Sequence, residues 1–358
     1  MRISFVMLGR RDLLTGGYLF NFRMVDHLRS MGAEVDVVHF TTVPPGLPEM
    51  PLAASRYVLD RVRDFAPDVV LVSKSYQFVT LLRMRMRSLG IPVVCLVHDI
   101  EWKQQRSRLR ETIYRVWARW VLSVAGTVWT NSLCSKRELT GIGIHPDRIR
   151  VVAPGFDRPS TPPPDREGRE GPVRFLCVGS FVPRKGQDIL VRACAGLPAG
   201  GYRLDLVGGS GSVHDSTGEI AAMIEGGRLG DSVRIVGELG PELLDRAYRD
   251  ADVLVHPSLW ESYGMSVVEA MARGLPVIAS DVAALPEVVK DGDNGLLVAP
   301  GDAAGLRAAM LRLMTERDLR LRMGERSYRI SLEKMDWEST CREFGALVAE
   351  AAGWKIPG

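Results

Sequence analysis

Hydrophobic positions along the chain alternate between continuous apolar runs and helical patterns whose apolar residues lie three or four positions apart. The run "ISFVML" is followed by a loop with Gly16 and Gly17, the helical pattern "NFRMVDHLRSMG" and a second run, "EVDVVHF". This order of elements predicts a βαβ unit with parallel strands buried on both faces. The same order returns in "PDVVLVS", a helical pattern over residues 81–90 and "IPVVCLVHD". We therefore expect a doubly wound α/β domain at the start of the chain.

A second series of the same elements follows a break in the pattern. Residues 158–172, "RPSTPPPDREGREGP", are rich in proline and charge, which predicts an exposed linker. The alternation resumes at "VRFLCVGS" and continues to "NGLLVAP", and a final helical pattern has no strand after it. We predict Rossmann-like domains over residues 1–160 and 172–333, a linker over 161–171, and a terminal helix over 334–358 that packs back on the first domain. Two such domains facing each other across a cleft would bind ligands in loops at the carboxyl ends of their strands.

Composition narrows the class of protein. The 358 residues are 46% hydrophobic and 25% charged, which is ordinary for globular domains. No apolar run approaches the roughly 18 residues of a spanning helix, and the N-terminal apolar run is too short for a secretory signal, so we expect a cytoplasmic protein. The cysteines form no C-x-x-C pair and are expected to be reduced, buried thiols: Cys95, Cys134, Cys177, Cys194 and Cys341.

Charge is unevenly distributed along the chain. Residues 1–170 contain 25 basic and 17 acidic side chains, whereas residues 171–358 contain 21 and 26. Residues 74–119 alone hold ten basic and three acidic side chains. They overlap a long amphipathic pattern with Leu109, Ile113, Val116, Trp117, Trp120, Val121 and Val124 at helical spacing. One interpretation is a surface for peripheral contact with the inner face of a membrane. The simpler one places these apolar residues, with Trp102, in the core and the arginines in solvent.

Several loops after predicted strands carry groups that suit an anion. Gly16 and Gly17 precede a helix, so their amides either bind an anion or form only a tight turn. Arg184 and Lys185 stand before a helix start and suit a diphosphate, or are two solvated charges. His98 ends a strand, where it contacts a substrate hydroxyl or is merely structural. Neither G-x-G-x-x-G nor G-x-x-x-x-G-K-[ST] occurs, which disfavours nicotinamide dehydrogenases and P-loop enzymes.

The stretch "HPSLWESYGMSVVEAMARGLPVIASD", residues 256–281, is the most specific of these segments. It predicts Glu261 in a loop and Glu269 about one turn inside the following helix, so the two need not form the acid and base pair of glycoside hydrolysis. The amides of Gly264, Met265 and Ser266 form a helix N-terminus that suits a phosphate. A phosphate site with an acceptor carboxylate on each side predicts a nucleotide sugar as ligand.

With these motifs the sequence resembles the retaining glycosyltransferases of family four, or glycosyl transferases group 1, which have the GT-B fold. The resemblance extends over essentially the whole chain and includes "VVAPGFD" and "LDLVGGSG". It implies transfer of a hexose from a UDP- or GDP-linked sugar to an acceptor hydroxyl, with retention of anomeric configuration and without a metal or other cofactor. It also makes residues 1–160 the acceptor-side domain and 172–333 the donor domain, in an enzyme of polysaccharide or glycoconjugate biosynthesis.

The same resemblance implies roles for individual residues. Glu269 would bind the ribose hydroxyls of the donor. His98, Lys185 and Glu261 are the catalytic candidates: His98 contacts the donor sugar, Lys185 neutralises the leaving diphosphate, and Glu261 holds sugar hydroxyls. The other donor-binding candidates are Gly16, Gly17, Ser180, Arg184, Gly237, Glu238, Tyr263, Gly264, Met265 and Ser266. Ser180 stands where many family members have an arginine. Either Arg184 substitutes for that arginine, or the negative charge of the diphosphate is less well neutralised.

Alternatives remain at this point. A nucleotide-sugar epimerase of the same architecture and a noncatalytic nucleotide-sugar-binding protein would both keep these motifs. The acceptor is a glycan, a lipid-linked molecule or a small molecule, and no nucleic acid partner is expected. The aspartates of "DGDNG", residues 291–295, suit a turn better than a metal site.

Overall fold

The computed structural model describes residues 1–8, 16–40, 52–73, 90–104, 107–123, 125–209 and 215–355. The chain divides into two compact units, one formed by Met1–Gly155 with Met335–Gly358 and the other by Phe156–Lys334. Within the described ranges, no helix combines the length and the apolar character needed to cross a bilayer. All five cysteines are buried, and none of them forms a disulfide.

The first unit is built around six parallel strands: β1 (Arg2–Leu8), β2 (Glu34–Phe40), β3 (Val69–Ser73), β4 (Val93–Val97), β5 (Thr127–Thr130) and β6 (Ile149–Val151). They form one sheet in the order β2-β1-β3-β4-β5-β6. Among the described residues, its helices before β6 are α1 (Gly16–Ser30), α2 (Leu52–Phe65), α3 (Arg108–Leu122) and α4 (Leu133–Gly141). Short 3₁₀ turns cover Glu101–Gln104 and Pro146–Arg148. Every residue of β3 and β4 is buried, as expected for strands covered by helices.

The second unit repeats the architecture with β7 (Val173–Val178), β8 (Tyr202–Val207), β9 (Val233–Gly237), β10 (Val253–His256), β11 (Val277–Ser280) and β12 (Gly295–Val298). These strands are parallel and ordered β12-β11-β10-β7-β8-β9. Its helices are α5 (Gln187–Cys194), α6 (Thr217–Gly226), α7 (Pro241–Asp250), α8 (Met265–Ala272), α9 (Leu285–Val288), α10 (Ala303–Thr315) and α11 (Arg317–Leu332). The predicted doubly wound α/β class is confirmed in both units.

Strand order creates a switch point in each sheet. In the second sheet β7 and β10 are neighbours, but β8 follows on one side and β11 on the other. The first sheet has the same arrangement: β1 and β3 are neighbours, β2 lies beside β1 on one side, and β4 lies beside β3 on the other. Loops diverge at such a point and leave a crevice beyond the carboxyl ends of the two strands, where ligands of open α/β sheets bind. The structure therefore brings the loops after β7 and β10 together.

The segment 161–171, predicted as a linker, forms no helix or strand, and it lies within the second unit, Phe156–Lys334. Arg166 holds it there by donating to the backbone oxygens of Ala251 and Arg273, at 2.9 Å and 3.0 Å. Arg169 adds a bond of 2.8 Å to the oxygen of Arg249. The two guanidinium groups thus satisfy carbonyls at the C-terminal ends of α7 and α8, which explains why the segment stays on this unit.

The last helix, α12 (Trp337–Ala352), belongs to the first unit. The Phe344 ring of this helix packs on Phe20 and Trp129, and its centroid lies 5.4 Å and 6.1 Å from theirs. The Thr340 hydroxyl donates to the oxygen of Ala153 at 2.9 Å. Aromatic packing and this hydrogen bond hold α12 against the first unit.

Helix α3 faces the core on one side only. Its buried residues are Ala118, Val121 and Leu122. The side chains of Leu109, Ile113, Val116 and Trp120 are 72%, 56%, 66% and 42% exposed. The interpretation of the apolar stripe as core is therefore wrong for these four residues, although Trp102 is fully buried as expected. Val124 and most of the helix predicted over 81–90 lie outside the described residues.

Candidate functional site

The switch point of the second unit brings two loops into direct contact. The 3₁₀ turn Pro183–Lys185 follows β7, and the loop after β10 begins at Pro257. The amide of Leu259 donates to the oxygen of Arg184 at 2.8 Å, which ties the loops together. Gly186 makes the close approach possible, because a Cβ at this position would lie 2.2 Å from the oxygen of Pro257.

The contact pairs Lys185 with Glu261. Lys185 Nζ donates to Glu261 Oε2 at 2.6 Å, and the two side chains are only 16% and 11% exposed. Burial opposes ionisation of Glu261, but Lys185 and the hydrogen bond from His256 together hold its pKa well below the ordinary value. Glu261 is therefore an ionised carboxylate, and Lys185 is the cation that faces it.

His256 contacts Glu261 and helps to hold this pair in place. It is 1% exposed, and its Nε2 lies 3.0 Å from Glu261 Oε2 and 3.1 Å from the Ser258 hydroxyl. Its Nδ1 lies 3.4 Å from the hydroxyl of Ser266 in the first turn of α8. Burial lowers the pKa of His256, so the ring is neutral, with its hydrogen on Nε2 facing the carboxylate. The ring links the start of α8 to Glu261 and, through Glu261, to Lys185.

The N-terminus of α8 opens beside the same loop. Gly264 is its N-cap residue, with a φ of +95° that favours glycine, and no side chain caps the helix. The amides of Met265 and Ser266 lie in the first turn, where backbone donors lack helical partners. Tyr263 is buried with its hydroxyl unpaired among the described residues, and burial raises its pKa to about 12. This arrangement combines a helix dipole with a nearby cation and suits an anionic ligand.

Glu269 lies inside α8 in a different environment. The Tyr248 hydroxyl donates to Glu269 Oε2 at 2.8 Å, and burial raises the pKa of Glu269. Arg273 donates to the backbone oxygen of Glu269 at 2.9 Å and bridges to Asp245 at 2.7 Å. One carboxylate of the segment thus bonds a cation and a histidine, and the other bonds a phenol. Among the described contacts they share no partner, so the geometry gives no support to an acid and base pair.

The remaining candidates of the second unit occupy neighbouring strand ends. Ser180 is exposed, and its backbone oxygen accepts from the Gln187 side chain at 3.1 Å. Arg184 points to the other loop, where its Nη1 donates to the oxygen of Trp260 at 3.0 Å and lies 4.0 Å from Glu261 Oε2. The end of β9 adjoins the end of β8, since Gly208 donates to the oxygen of Gly237 at 2.9 Å. Exposed Glu238 follows directly.

The candidates of the first unit meet at its own switch point. Gly16 and Gly17 open α1, and a Cβ on Gly17 would lie 3.5 Å from the His98 ring. His98 Nε2 lies 2.9 Å from Asn21 Oδ1, and Asn21 Nδ2 donates to the Ser73 hydroxyl at 2.7 Å. These bonds place a hydrogen on Nε2 of His98 and fix the orientation of its ring.

Sequence reasoning did not identify four polar residues of these clusters. Asn21 and Ser73 hold His98, whereas His256 and Tyr248 hold the two glutamates. A sequence pattern could have identified His256, because this residue lies at the end of a buried strand, as His98 does. No sequence pattern indicated Tyr248, because an aromatic residue at its position on α7 is expected in the core.

The aspartates of the turn 291–295 contact local partners. No group of three or more His, Cys, Asp or Glu side chains converges anywhere in the part of the chain that is described. In the turn 291–295, Asp291 accepts from the amide of Leu297 at 2.9 Å and Asp293 pairs with Arg326 at 2.9 Å. Both aspartates are thus occupied by local contacts.

Family models match both units of the chain. Residues 163–330 match the family described as glycosyl transferases group 1, and residues 12–155 match the glycosyl transferase 4-like domain. The MMP alpha-(1->4)-mannosyltransferase of Mycolicibacterium hassiacum is 30% identical over 330 residues, which cover 87% of this chain and 77% of that relative. The D-inositol 3-phosphate glycosyltransferase of Nocardia farcinica is 35% identical over 223 residues, or 58% of this chain and 49% of the relative. The chain thus spans about half the length of several curated relatives that it matches.

Solved structures share the fold at low sequence identity. Sucrose-phosphate synthase from Thermosynechococcus elongatus has a TM-score of 0.82 at 22% identity, with 98% of each chain covered. Anabaena Alr3699/HepE, solved in complex with UDP, has a TM-score of 0.79 at 20% identity, covering 98% of this chain and all of that one. At this identity the likeness establishes the fold.

Proposed function

The chain belongs to the glycosyl transferases group 1 family, and we propose that it transfers a hexose from a nucleotide-diphosphate sugar to an acceptor hydroxyl, with retention of anomeric configuration and without a metal. The observation that carries the proposal is the buried contact of 2.6 Å between Lys185 and Glu261, beside the uncapped N-terminus of α8. A cation, a helix N-terminus and an acceptor carboxylate in one loop cluster match the diphosphate and the sugar hydroxyls of such a donor.

In this proposal Lys185 and the amides of Gly264, Met265 and Ser266 bind the diphosphate. Negative charge grows on the diphosphate as the sugar departs, and preorganised donors aimed at that charge supply the main electrostatic stabilisation. Arg184, which lies 4.0 Å from Glu261, adds a second positive charge in the place of the arginine that Ser180 replaces. A diphosphate oxygen accepts the proton of the attacking hydroxyl, so the reaction needs no separate side-chain base.

Glu261 then accepts hydrogen bonds from hydroxyls of the transferred sugar while it keeps the bond from His256. Glu269 accepts from the ribose hydroxyls, with the Tyr248 hydroxyl holding its carboxylate in place. Tyr263 adds its buried hydroxyl at the start of α8, and the backbone of Gly237 and Glu238 holds the base. Each of these groups lies at a carboxyl strand end or in α8, as the fold requires.

In the first unit His98 contacts the donor sugar and the backbone of Gly16 and Gly17 contacts the diphosphate. The support is local: Asn21 fixes the His98 ring and Gly17 leaves space beside it. A bulkier residue at position 17 would fill that space.

The donor is a UDP- or GDP-linked sugar in this proposal, and no other cofactor takes part. The support for UDP is that a fold neighbour was solved with UDP-glucose. The acceptor is a hydroxyl of a glycan, a lipid-linked molecule or a small molecule, and D-inositol 3-phosphate is the first acceptor to test, given the name of one relative.

A transfer assay tests the proposal. Labelled UDP- and GDP-sugars are incubated with an acceptor panel, and NMR of the product reports its anomeric configuration. Replacing Lys185 by alanine should reduce turnover by about 10² to 10³, the usual cost of one transition-state charge donor. Exposed Lys290 is the matched control and should leave turnover unchanged. An epimerised sugar nucleotide in the absence of acceptor would instead identify an epimerase, and donor binding without transfer would identify a binding protein.

A further inference from the structure

The exposed apolar stripe on α3 is defined by Leu109, Ile113, Val116 and Trp120. Their spacing of four, three and four residues aligns the side chains on one side of the helix. At 1.5 Å per residue the stripe is roughly 16 Å long. Eight large hydrophobic side chains are strongly exposed among the described residues, and half of them belong to this stripe. Such concentrated apolar exposure indicates an interaction surface rather than scattered surface residues.

Arginines border the stripe on both sides. At 100° per residue, Arg108, Arg115 and Arg119 project along one flank and Arg110 along the other. Glu111, the single acidic residue of α3, is half-buried on the opposite side, 3.9 Å from Arg115. The helix thus has a buried face, an exposed apolar face and basic borders.

We propose that α3 docks the first unit on an anionic lipid surface. The apolar stripe would enter the boundary between headgroups and acyl chains, the bordering arginines would contact anionic headgroups, and Trp120 would lie at the level of the interface. A second copy of this chain fits less well, because it would bring two arginine-bordered stripes together and oppose charges of the same sign. The proposal stands apart from the glycosyl transfer reaction, since no donor-binding residue lies in α3.

Vesicle cosedimentation tests the surface. We expect the protein to bind vesicles of equal parts phosphatidylglycerol and phosphatidylcholine, and to bind pure phosphatidylcholine far more weakly. Ile113→Asp combined with Val116→Asp should weaken binding at least about tenfold. Leu243→Asp is the matched control, because Leu243 lies on α7 and is also 57% exposed; it should bind as the wild type does.

Charge is tested separately. Arg108→Gln with Arg110→Gln should weaken binding about 30-fold, since each arginine near an anionic surface contributes about 1 kcal/mol. This pair keeps the measurement informative if the aspartate variant does not fold, and circular dichroism checks both. Equal binding to neutral vesicles, or binding unaffected by either pair of substitutions, would overturn the proposal. So would the absence of vesicle binding together with a dimer, seen in sedimentation equilibrium, that Ile113→Asp disperses.

Discussion

Replacing Lys185 with methionine removes the cation closest to Glu261. The two side chains contact at 2.6 Å and are 16% and 11% exposed, so solvent screens them little. Removing one partner of a buried ion pair typically costs about 3–5 kcal/mol, because the other charge stays buried. We expect the lower end, about 3 kcal/mol, since His256 remains 3.0 Å and Arg184 4.0 Å from the carboxylate.

The loss should depend on pH with a definite sign. In the wild type burial opposes ionisation of Glu261, but Lys185 and His256 hold its pKa well below the ordinary value. Its stabilisation is therefore present above the unfolded-state pKa and is lost only as pH falls through the lowered folded-state pKa. Without Lys185, burial is opposed only by His256 and Arg184, so the pKa of Glu261 should be higher in the variant than in the wild type. The deficit of the variant relative to the wild type therefore grows as pH rises through the variant's higher folded-state pKa, so the variant should be less destabilised at about pH 5 than at about pH 7.

Hydrogen exchange of peptides from β10 and α8, measured in increasing urea at both pH values, reports the unfolding free energy of the second unit. Lys290→Met is the control: Lys290 is exposed, its Nζ donates only to the oxygen of Pro286 among the described contacts, and its loss should change stability by less than about 0.5 kcal/mol. Adding Glu261→Gln to Lys185→Met removes the buried charge and should restore part of the stability. A single variant as stable as the wild type, or a double variant no more stable than the single one, would refute this reasoning.

Three further predictions concern the surroundings of α8 and α1. Tyr248→Phe removes a hydrogen bond that lowers the pKa of Glu269, so this pKa, already raised by burial, should rise further. Glu269 accepts the ribose hydroxyls in its ionised form. As pH falls, donor binding measured by titration calorimetry should therefore be lost at a higher pH in the variant than in the wild type. Arg166→Met removes the hydrogen bonds to the backbone oxygens of Ala251 and Arg273 and should lower the unfolding free energy by about 3 kcal/mol, whereas Arg203→Met, at an exposed strand position, should have little effect; urea unfolding compares them. Asn21→Ala removes one hydrogen bond that orients the ring of His98, and steady-state kinetics should show a lower kcat that Asn21→Ser partly restores.

Local sequence patterns predicted the strands and the order of the elements well. Buried parallel strands are apolar throughout, and β3 and β4 are buried over their whole length. Long-range pairing was beyond those patterns. Lys185 and Glu261 are 76 residues apart, and they meet because β7 lies next to β10, a strand order that no local pattern encodes.

The same limit explains the errors at α3 and at the support residues. A period of 3.6 residues identifies which side chains share a helix face, but not what that face contacts, so the sequence left two interpretations of the stripe from Leu109 to Trp120, and the simpler one, a core position, is wrong. His256 and Tyr248 are buried polar residues in positions that core residues also occupy. Their roles depend on hydrogen bonds to Glu261 and Glu269 that only the folded chain defines.

The central claim is that the second unit binds a nucleotide sugar through α8 and the loops around it. Titration calorimetry of UDP-glucose and GDP-mannose into the wild type and into Glu269→Ala tests it most directly, with exposed Glu225→Ala of α6 as the control. We predict that one of the donors binds the wild type and the control equally, and that Glu269→Ala binds it at least about tenfold more weakly, as expected for lost hydrogen bonds to a charged acceptor. Equal affinity for Glu269→Ala and the wild type, or no binding of either donor to the wild type, would contradict the claim.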